Sequence, residues 1–269
     1  MTLTLLLIYA VVGALAGLLG GLFGLGGGVI MVPALIYTFT ALGVPVAVLT
    51  HLAVGTSLMA IMATSVVSIR AHHKKGAIIW PLALSVFPGI LLGGWLGGQT
   101  AGSLSGPHLQ MGFGGFLMLV AVLILCPVPA NRAHLPGTPG RLTAGVVIGW
   151  VSALFGIGGG SLSVPFFSFC GVVMQRAVAT SAALGLPIAL SGAATLMWQG
   201  WQTEGLPAWS TGYVYWPAVA GMIICSAPCA KIGANLAHRL PAAQLKRGFA
   251  VFLILMGTQL LVSGMINAN

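Results

Sequence analysis

The feature that most limits how this chain can fold is its long, unbroken apolar runs, separated by single basic residues or short basic clusters. A soluble domain carries roughly 25% charged residues. Here the figure is 4%, with ten Lys/Arg and one acidic residue, Glu204. That is too few to cover a globular surface, so soluble folds are excluded. The 58% hydrophobic content excludes intrinsic disorder. A mean hydropathy of +1.06 and the length of the runs predict an all-α, multi-span membrane protein. A transmembrane barrel would alternate over segments of about ten residues instead. The formal net charge of +9 does not point to nucleic acid, because basic residues between apolar runs mark cytoplasmic loops. Cys126, Cys170, Cys225 and Cys229 lie in or at the ends of apolar segments, without zinc-like spacing or a disulfide framework. The N-terminal run lacks a basic leader and does not read as a cleaved signal.

The chain repeats itself. Phe23-Gly24-Leu25-Gly26-Gly27-Gly28, followed by Val32-Pro33, returns at an offset of 132 as Phe155-Gly156-Ile157-Gly158-Gly159-Gly160, followed by Val164-Pro165. Gly13 and Gly17 match Gly145 and Gly149 at the same offset. Ala53-Val54-Gly55-Thr56-Ser57 pairs with Ala177-Val178-Ala179-Thr180-Ser181 at offset 124. Trp80-Pro81 pairs with Trp216-Pro217, and Leu109-x-x-Gly112-Phe113 with Leu245-x-x-Gly248-Phe249, both at 136. Four ordered matches predict two homologous repeats, 1–127 and 142–269, joined by a basic, Pro-rich cytoplasmic linker, 128–141. Each repeat has four apolar segments, near 3–43, 51–69, 79–99 and 109–127, then 142–171, 177–199, 213–235 and 245–265. Glycine clusters destabilise a helix by about 1 kcal/mol per residue, and the following proline lacks a donor. The first segment of each repeat is thus expected to be two half-helices around an unwound turn.

Charge sets the orientation. Arg70, Lys74 and Lys75 follow the second segment of the first repeat, whereas the matching loop 200–212 has no Lys or Arg and holds Glu204. The reverse bias at Arg239, Lys246 and Arg247 makes the repeats inverted. Inversion requires an odd number of full spans per repeat, so the broken segments should be re-entrant and six helices should cross. Both termini then lie outside, and all ten Lys/Arg, including Arg132, Arg141, Arg176 and Lys231, fall at or near the cytoplasmic face of an inner-membrane protein.

The paired FG-[LI]-GGG-x-x-x-VP motifs, the A-V-x-T-S motifs and the L-x-x-G-F helix resemble the TauE/SafE sulfite exporter family, from Gly13 to the last helix. The resemblance implies movement of sulfite, sulfonates such as sulfoacetate, or related sulfur-containing anions across the inner membrane, with export the expected direction. Ala179 replaces the glycine of the first repeat, and Ser161 and Ser163 stand opposite Val29 and Met31, so a shared site would be chemically asymmetric.

A re-entrant turn places a half-helix N-terminus deep in the membrane, where free N–H groups and the dipole attract an anion. The candidate binding residues are Gly26, Gly27, Gly28 and Val29, and Gly158, Gly159, Gly160 and Ser161, at two ends aimed at one midplane point. Each end contributes roughly 0.3–2 kcal/mol. Thr56, Ser57, Thr180 and Ser181 are candidate hydroxyl donors, the competing role being a bond to their own helix carbonyls. The glycines could instead serve helix packing, and Ser161 could cap its half-helix. Cys225 and Cys229 match Gly89 and Gly93 and read as packing residues, His51 as an interfacial histidine with gating open, and Trp198, Trp201, Trp209, Tyr213, Tyr215 and Trp216 as an aromatic belt. No catalytic residue, metal ligand or cofactor is expected. Gly24-x-Gly26-x-x-Val29 lacks the third glycine of a dinucleotide motif. The expected partners are a small anionic substrate and membrane lipid, with no nucleic acid and with homo-oligomerisation left open. A passive anion channel and a membrane assembly factor are the competing classes.

Overall fold

The structure is a computed structural model that describes residues 3–23, 27–125, 135–237 and 242–268. Both broken segments are pairs of helices. The first comprises α1 (Leu3–Phe23) and α2 (Gly28–Ala41), and the second α6 (Thr138–Leu154) and α7 (Gly160–Phe169). Pro33 and Pro165 lie inside α2 and α7 rather than ending them, so the glycines alone mark the interruptions. The remaining helices are α3 (Val46–Lys74), α4 (Trp80–Ser103), α5 (Gly106–Leu125), α8 (Met174–Gln199), α9 (Trp216–Ala237) and α10 (Ala242–Ala268). Among the described residues, five helices are long and apolar enough to cross a membrane: α3, α4, α5, α8 and the Arg247–Ala268 part of α10. The sixth expected span, α9, has a shorter apolar stretch over Trp216–Ile232.

Helix α6 begins at Thr138, within the 128–141 stretch, with Pro139 in its first turn, where a missing N–H is harmless. Two sequence expectations are corrected. The segment expected from 213 starts as helix only at Trp216, because β1 (Ser210–Thr211) and β2 (Val214–Tyr215) pair antiparallel ahead of it. Tyr213 and Tyr215 leave the aromatic belt. Tyr215 is buried against Tyr9 and Phe39, and Tyr213 stacks on His51, whereas Trp198, Trp201 and Trp209 are exposed.

The packing is reciprocal. α1 lies on α9 as α6 lies on α4, while α3 pairs with α8 and α5 with α10. The match extends to residues. Gly13 presses on Met222 and Gly17 on Ser226, while Gly145 presses on Val86 and Gly149 on Ile90. These are the same contacts at the 132 and 136 offsets. Small residues allow such backbone approach, which drives helix association where lipid removes the hydrophobic term. α3 and α8 form the centre, with 61% and 67% of their apolar windows buried, against 33% for α10.

Leu58 meets Gly192 and Ser65 meets Gly185, so α3 and α8 run antiparallel. Gly114 meets Gly257 and Met111 meets Gly264, so α5 and α10 do too. This register brings Arg70, Lys74 and Arg176, all exposed, to one end of the molecule. Exposed Glu204, after the C-terminus of α8, belongs to the other.

A methyl group at Gly149 would sit 2.5 Å from the Ile90 carbonyl oxygen and 3.0 Å from the Gly94 nitrogen, both backbone atoms that cannot turn aside. We therefore expect Gly149→Ala to lower the melting temperature of the detergent-purified protein, at a cost of about 1–3 kcal/mol for overpacking. Gly115, whose surroundings are empty within 4 Å, is the comparison. Gly115→Ala should be neutral or stabilising, and equal melting of the two variants would contradict the packing role.

Candidate functional site: the meeting of two helix breaks

The two interruptions touch. A methyl group at Gly28 would lie 2.5 Å from the Gly156 carbonyl oxygen, 2.8 Å from the Ile157 Cα and 2.9 Å from Ile61 Cδ1. Gly156 makes the turn with φ of +66°, a conformation open to glycine and strained for other residues. Gly158, Gly159, Gly160, Gly28 and Val29 are buried, and Gly27 is half-buried. Gly26 lies outside the described residues.

Both half-helices begin without a side-chain cap. Gly27 is the N-cap of α2 and Gly159 the N-cap of α7, and neither helix has a capping hydrogen bond from that residue. Ser161 sits inside the first turn of α7 rather than at its N-cap, which corrects the capping expectation. The first N–H groups of each helix have no intrahelical acceptor. Two such ends, deep in an apolar bundle, can receive acceptor oxygens.

The four candidate hydroxyls separate into two kinds. Thr56 Oγ1 accepts the Tyr215 N–H at 3.0 Å, and Thr180 Oγ1 accepts the Ile79 N–H at 3.1 Å. These bonds are equivalent, since the threonines match at offset 124 and the acceptor-seeking N–H groups at 136. Each threonine anchors the entry of a helix, α9 or α4, across the protein. The expected alternative, a bond to its own helix, is not what either makes. On the α3–α8 register, Thr56 stands about fourteen residues, or ~20 Å, from the level of Thr180. The two Thr-Ser pairs therefore flank the breaks from opposite sides. Ser57 Oγ donates to the Gly156 carbonyl at 2.9 Å, tying α3 to the second break. Ser181 is 1% exposed, and its hydroxyl has no partner.

Further buried hydroxyls without partners are Tyr9 on α1, Thr50 on α3, Ser152 on the last turns of α6, and Ser163 on α7. Ser163 carried a sequence signal, its mismatch with Met31, but Ser152 carried none. His51 is buried, and its Nε2–H is shared between the Ala101 and Leu104 carbonyls, each at 3.0 Å. That bond joins α3 to the α4–α5 junction. A cavity of about 350 Å³, bounded by Leu42, Pro45, Pro207, Trp209 and Tyr215, opens at the end where α1 begins, and its walls include no cation. Among the described residues no cluster of His, Cys, Asp or Glu could hold a metal. Cys170, Cys225 and Cys229 are free thiols.

Apolar helices of spanning length around a pair of broken helices define a multi-pass membrane protein of the transporter class. The chain belongs to the sulfite exporter TauE/SafE family, whose pattern it matches over residues 9–260. It is 35% identical over 255 residues to a probable membrane transporter protein of Haemophilus influenzae, covering 94% of this chain and 97% of that one. It is 29% identical over 268 residues to the probable membrane transporter protein MJ0441 of Methanocaldococcus jannaschii, covering 97% of each. It is 27% identical over 281 residues to the probable membrane transporter protein YunE of Bacillus subtilis, covering 97% of this chain and 98% of that one. No solved structure matches the chain.

Thr56→Val and Thr180→Val keep side-chain shape and remove the acceptor from a backbone N–H. Leaving a buried donor unpaired costs about 1–3 kcal/mol. Each variant should melt below the parent by a similar amount, because the two bonds are equivalent. Calorimetry or a fluorescence melt in detergent reads this directly, and unchanged melting of both would remove the anchor role.

Proposed function

We propose that this protein moves a small sulfur-containing anion, sulfite or an organosulfonate such as sulfoacetate, outward across the inner membrane. The observation that carries the reading is the seating of the uncapped start of α2, Gly28, against the Gly156–Ile157 turn that leads into the uncapped start of α7. An oxyanion between them meets free backbone donors and two positive dipole ends without any buried cation. Neutral donors hold an anion weakly and release it quickly, as a carrier needs. The candidate residues are Gly26 to Val29, Gly158 to Ser161 and the Ser181 hydroxyl, with Ser57 tying down the Gly156 turn and Thr56 and Thr180 as the outer struts of the same site. The family's description as sulfite exporters supports the choice of anion.

The framework we propose for this site is a pair of inverted repeats, 1–127 and 142–269, about an axis in the membrane plane. The antiparallel courses of α3 and α8 and of α5 and α10 support it, as does the reciprocal packing of α1 on α9 and α6 on α4. The gathering of Arg70, Lys74 and Arg176 at one end supports a cytoplasmic assignment for that end, which leaves both termini outside. A membrane-impermeant thiol reagent should reach a cysteine placed at His73 from one side of the membrane and one placed at Glu204 from the other. Labelling of both from the same side would remove the inversion.

The chain's single acid is exposed Glu204, so a buried carboxylate relay of the kind pumps use is not available. The membrane potential alone favours outward anion movement by ~2.3 kcal/mol per charge per 100 mV. In vesicles reconstituted with the purified protein, labelled sulfite should therefore move down its gradient without a proton gradient, and faster with the potential set to draw anions. Gly28→Ala, which forces the two breaks apart, should abolish this flux. Gly159→Ala should be milder, because the nearest atom is the movable Ile188 Cδ1 at 2.7 Å. Flux that needs a proton gradient and loses that need on replacing His51 would overturn the uncoupled mechanism.

A further inference from the structure

The two breaks are alike in backbone but not in side chains, and the difference is one of free donors. Ser163 is fully buried, and its hydroxyl has no hydrogen-bond partner. Its Oγ lies 3.4 Å from the point where a Cβ on Gly159, the N-cap of α7, would stand. It thus faces the open start of a ten-residue helix. The Gly185 nitrogen of α8 is 3.8 Å from the same point. Ser181, one turn earlier on α8, is another buried hydroxyl without a partner. The first repeat has no such donor at the matching positions, its buried hydroxyls without partners being Tyr9 and Thr50. Met31 occupies the position of Ser163. Ser57 occupies that of Ser181, and its hydroxyl is committed to the Gly156 carbonyl.

We propose that the second repeat supplies the side-chain grip on the anion, at the start of α7, with the Ser163 and Ser181 hydroxyls donating to its oxygens, and that the substrate carries no ammonium group. The proposal rests on the anion-transport reading above. Buried hydroxyls without partners are rare and unfavourable unless a ligand completes them. Ser163 beside the uncapped helix start and Ser181 one turn along α8 each offer a free O–H donor, which an acceptor-only head such as a sulfite or sulfonate group can take. An amine at the far end of the molecule would need an acidic counter-charge in the apolar core. The chain's single acid is exposed Glu204, in the loop that follows α8.

The test uses the full-length protein in detergent, melted with sulfite, ethanesulfonate or 2-aminoethanesulfonate, and the same solutes in vesicle flux. Sulfite and ethanesulfonate should raise the melting temperature of the parent and cross the membrane, and 2-aminoethanesulfonate should do neither. Ser163→Ala removes an unsatisfied group, so the anion-free variant should melt at the same temperature or higher. Its affinity for the two anions should weaken about tenfold, and Ser181→Ala should behave alike. Ser226→Ala, whose hydroxyl bonds the Ile223 carbonyl of its own helix at 3.4 Å, should leave affinity unchanged. If Ser163→Ala and Ser181→Ala bind and move both anions as the parent does, the second repeat does not grip the anion and only this proposal is overturned. Lower anion-free melting of both with undiminished anion response would make them packing residues, with the same consequence. Equal binding of 2-aminoethanesulfonate and ethanesulfonate would overturn the substrate class. A parent that responds to and moves none of the three would overturn the transport reading as well.

Discussion

A helix interrupted inside a bilayer must find partners for its freed backbone groups within the protein, because the hydrocarbon supplies none. Most of this structure can be understood from that requirement. Two interruptions occur, and the turn of the second lies against the start of the helix that follows the first, with Gly28 touching Gly156 and Ile157. Ser57 then satisfies the Gly156 carbonyl from α3. The two most buried long helices, α3 and α8, pack on each other and support the helices that follow the breaks, α2 on α3 and α7 on α8. The uncapped N–H ends are what remains for a ligand.

Around this centre the same solutions are used twice. A glycine stripe lets α1 approach α9 and α6 approach α4 with backbones in contact. A threonine oxygen in the middle helix receives the N–H that precedes a Trp-Pro helix start, Thr56 for Tyr215 and Thr180 for Ile79. Placing a hydroxyl where a helix enters the bundle fixes the entry without a charged group, which the apolar surroundings would penalise. Where the two parts of the chain depart from one another, the departures are chemical. Ser163 faces Met31 across the duplication, and the loop before α9 holds a hairpin for which the short turn before α4 has no equivalent.

That hairpin gives the two ends of the molecule different characters. Tyr213 stacks on His51 with ring centroids 5.0 Å apart, its carbonyl presses on Gly55, and Tyr215 is buried against Phe39 and Tyr9. Aromatic side chains that composition alone assigns to a lipid interface are instead wedged into the bundle. His51 in turn holds the α4–α5 junction. The end bearing Arg70, Lys74 and Arg176 is built from a short turn and exposed basic side chains.

The sequence by itself determined that this is a helical membrane protein, that two helices break, and where. It determined this because apolar length, missing charge and glycine clusters act locally and cannot be overridden inside a bilayer. The duplicated motifs also made the TauE/SafE membership legible, together with the breaks as the place to look for an anion. What each hydroxyl does was decided only by tertiary structure. Thr56 and Ser57 are neighbours in sequence, yet one anchors a distant helix entry and the other ties down a glycine turn. Ser181 matches Ser57 in sequence and has no partner. A hydroxyl's role depends on which backbone group arrives opposite it, and those groups come from residues about 100 to 160 positions away, a separation that no local pattern records.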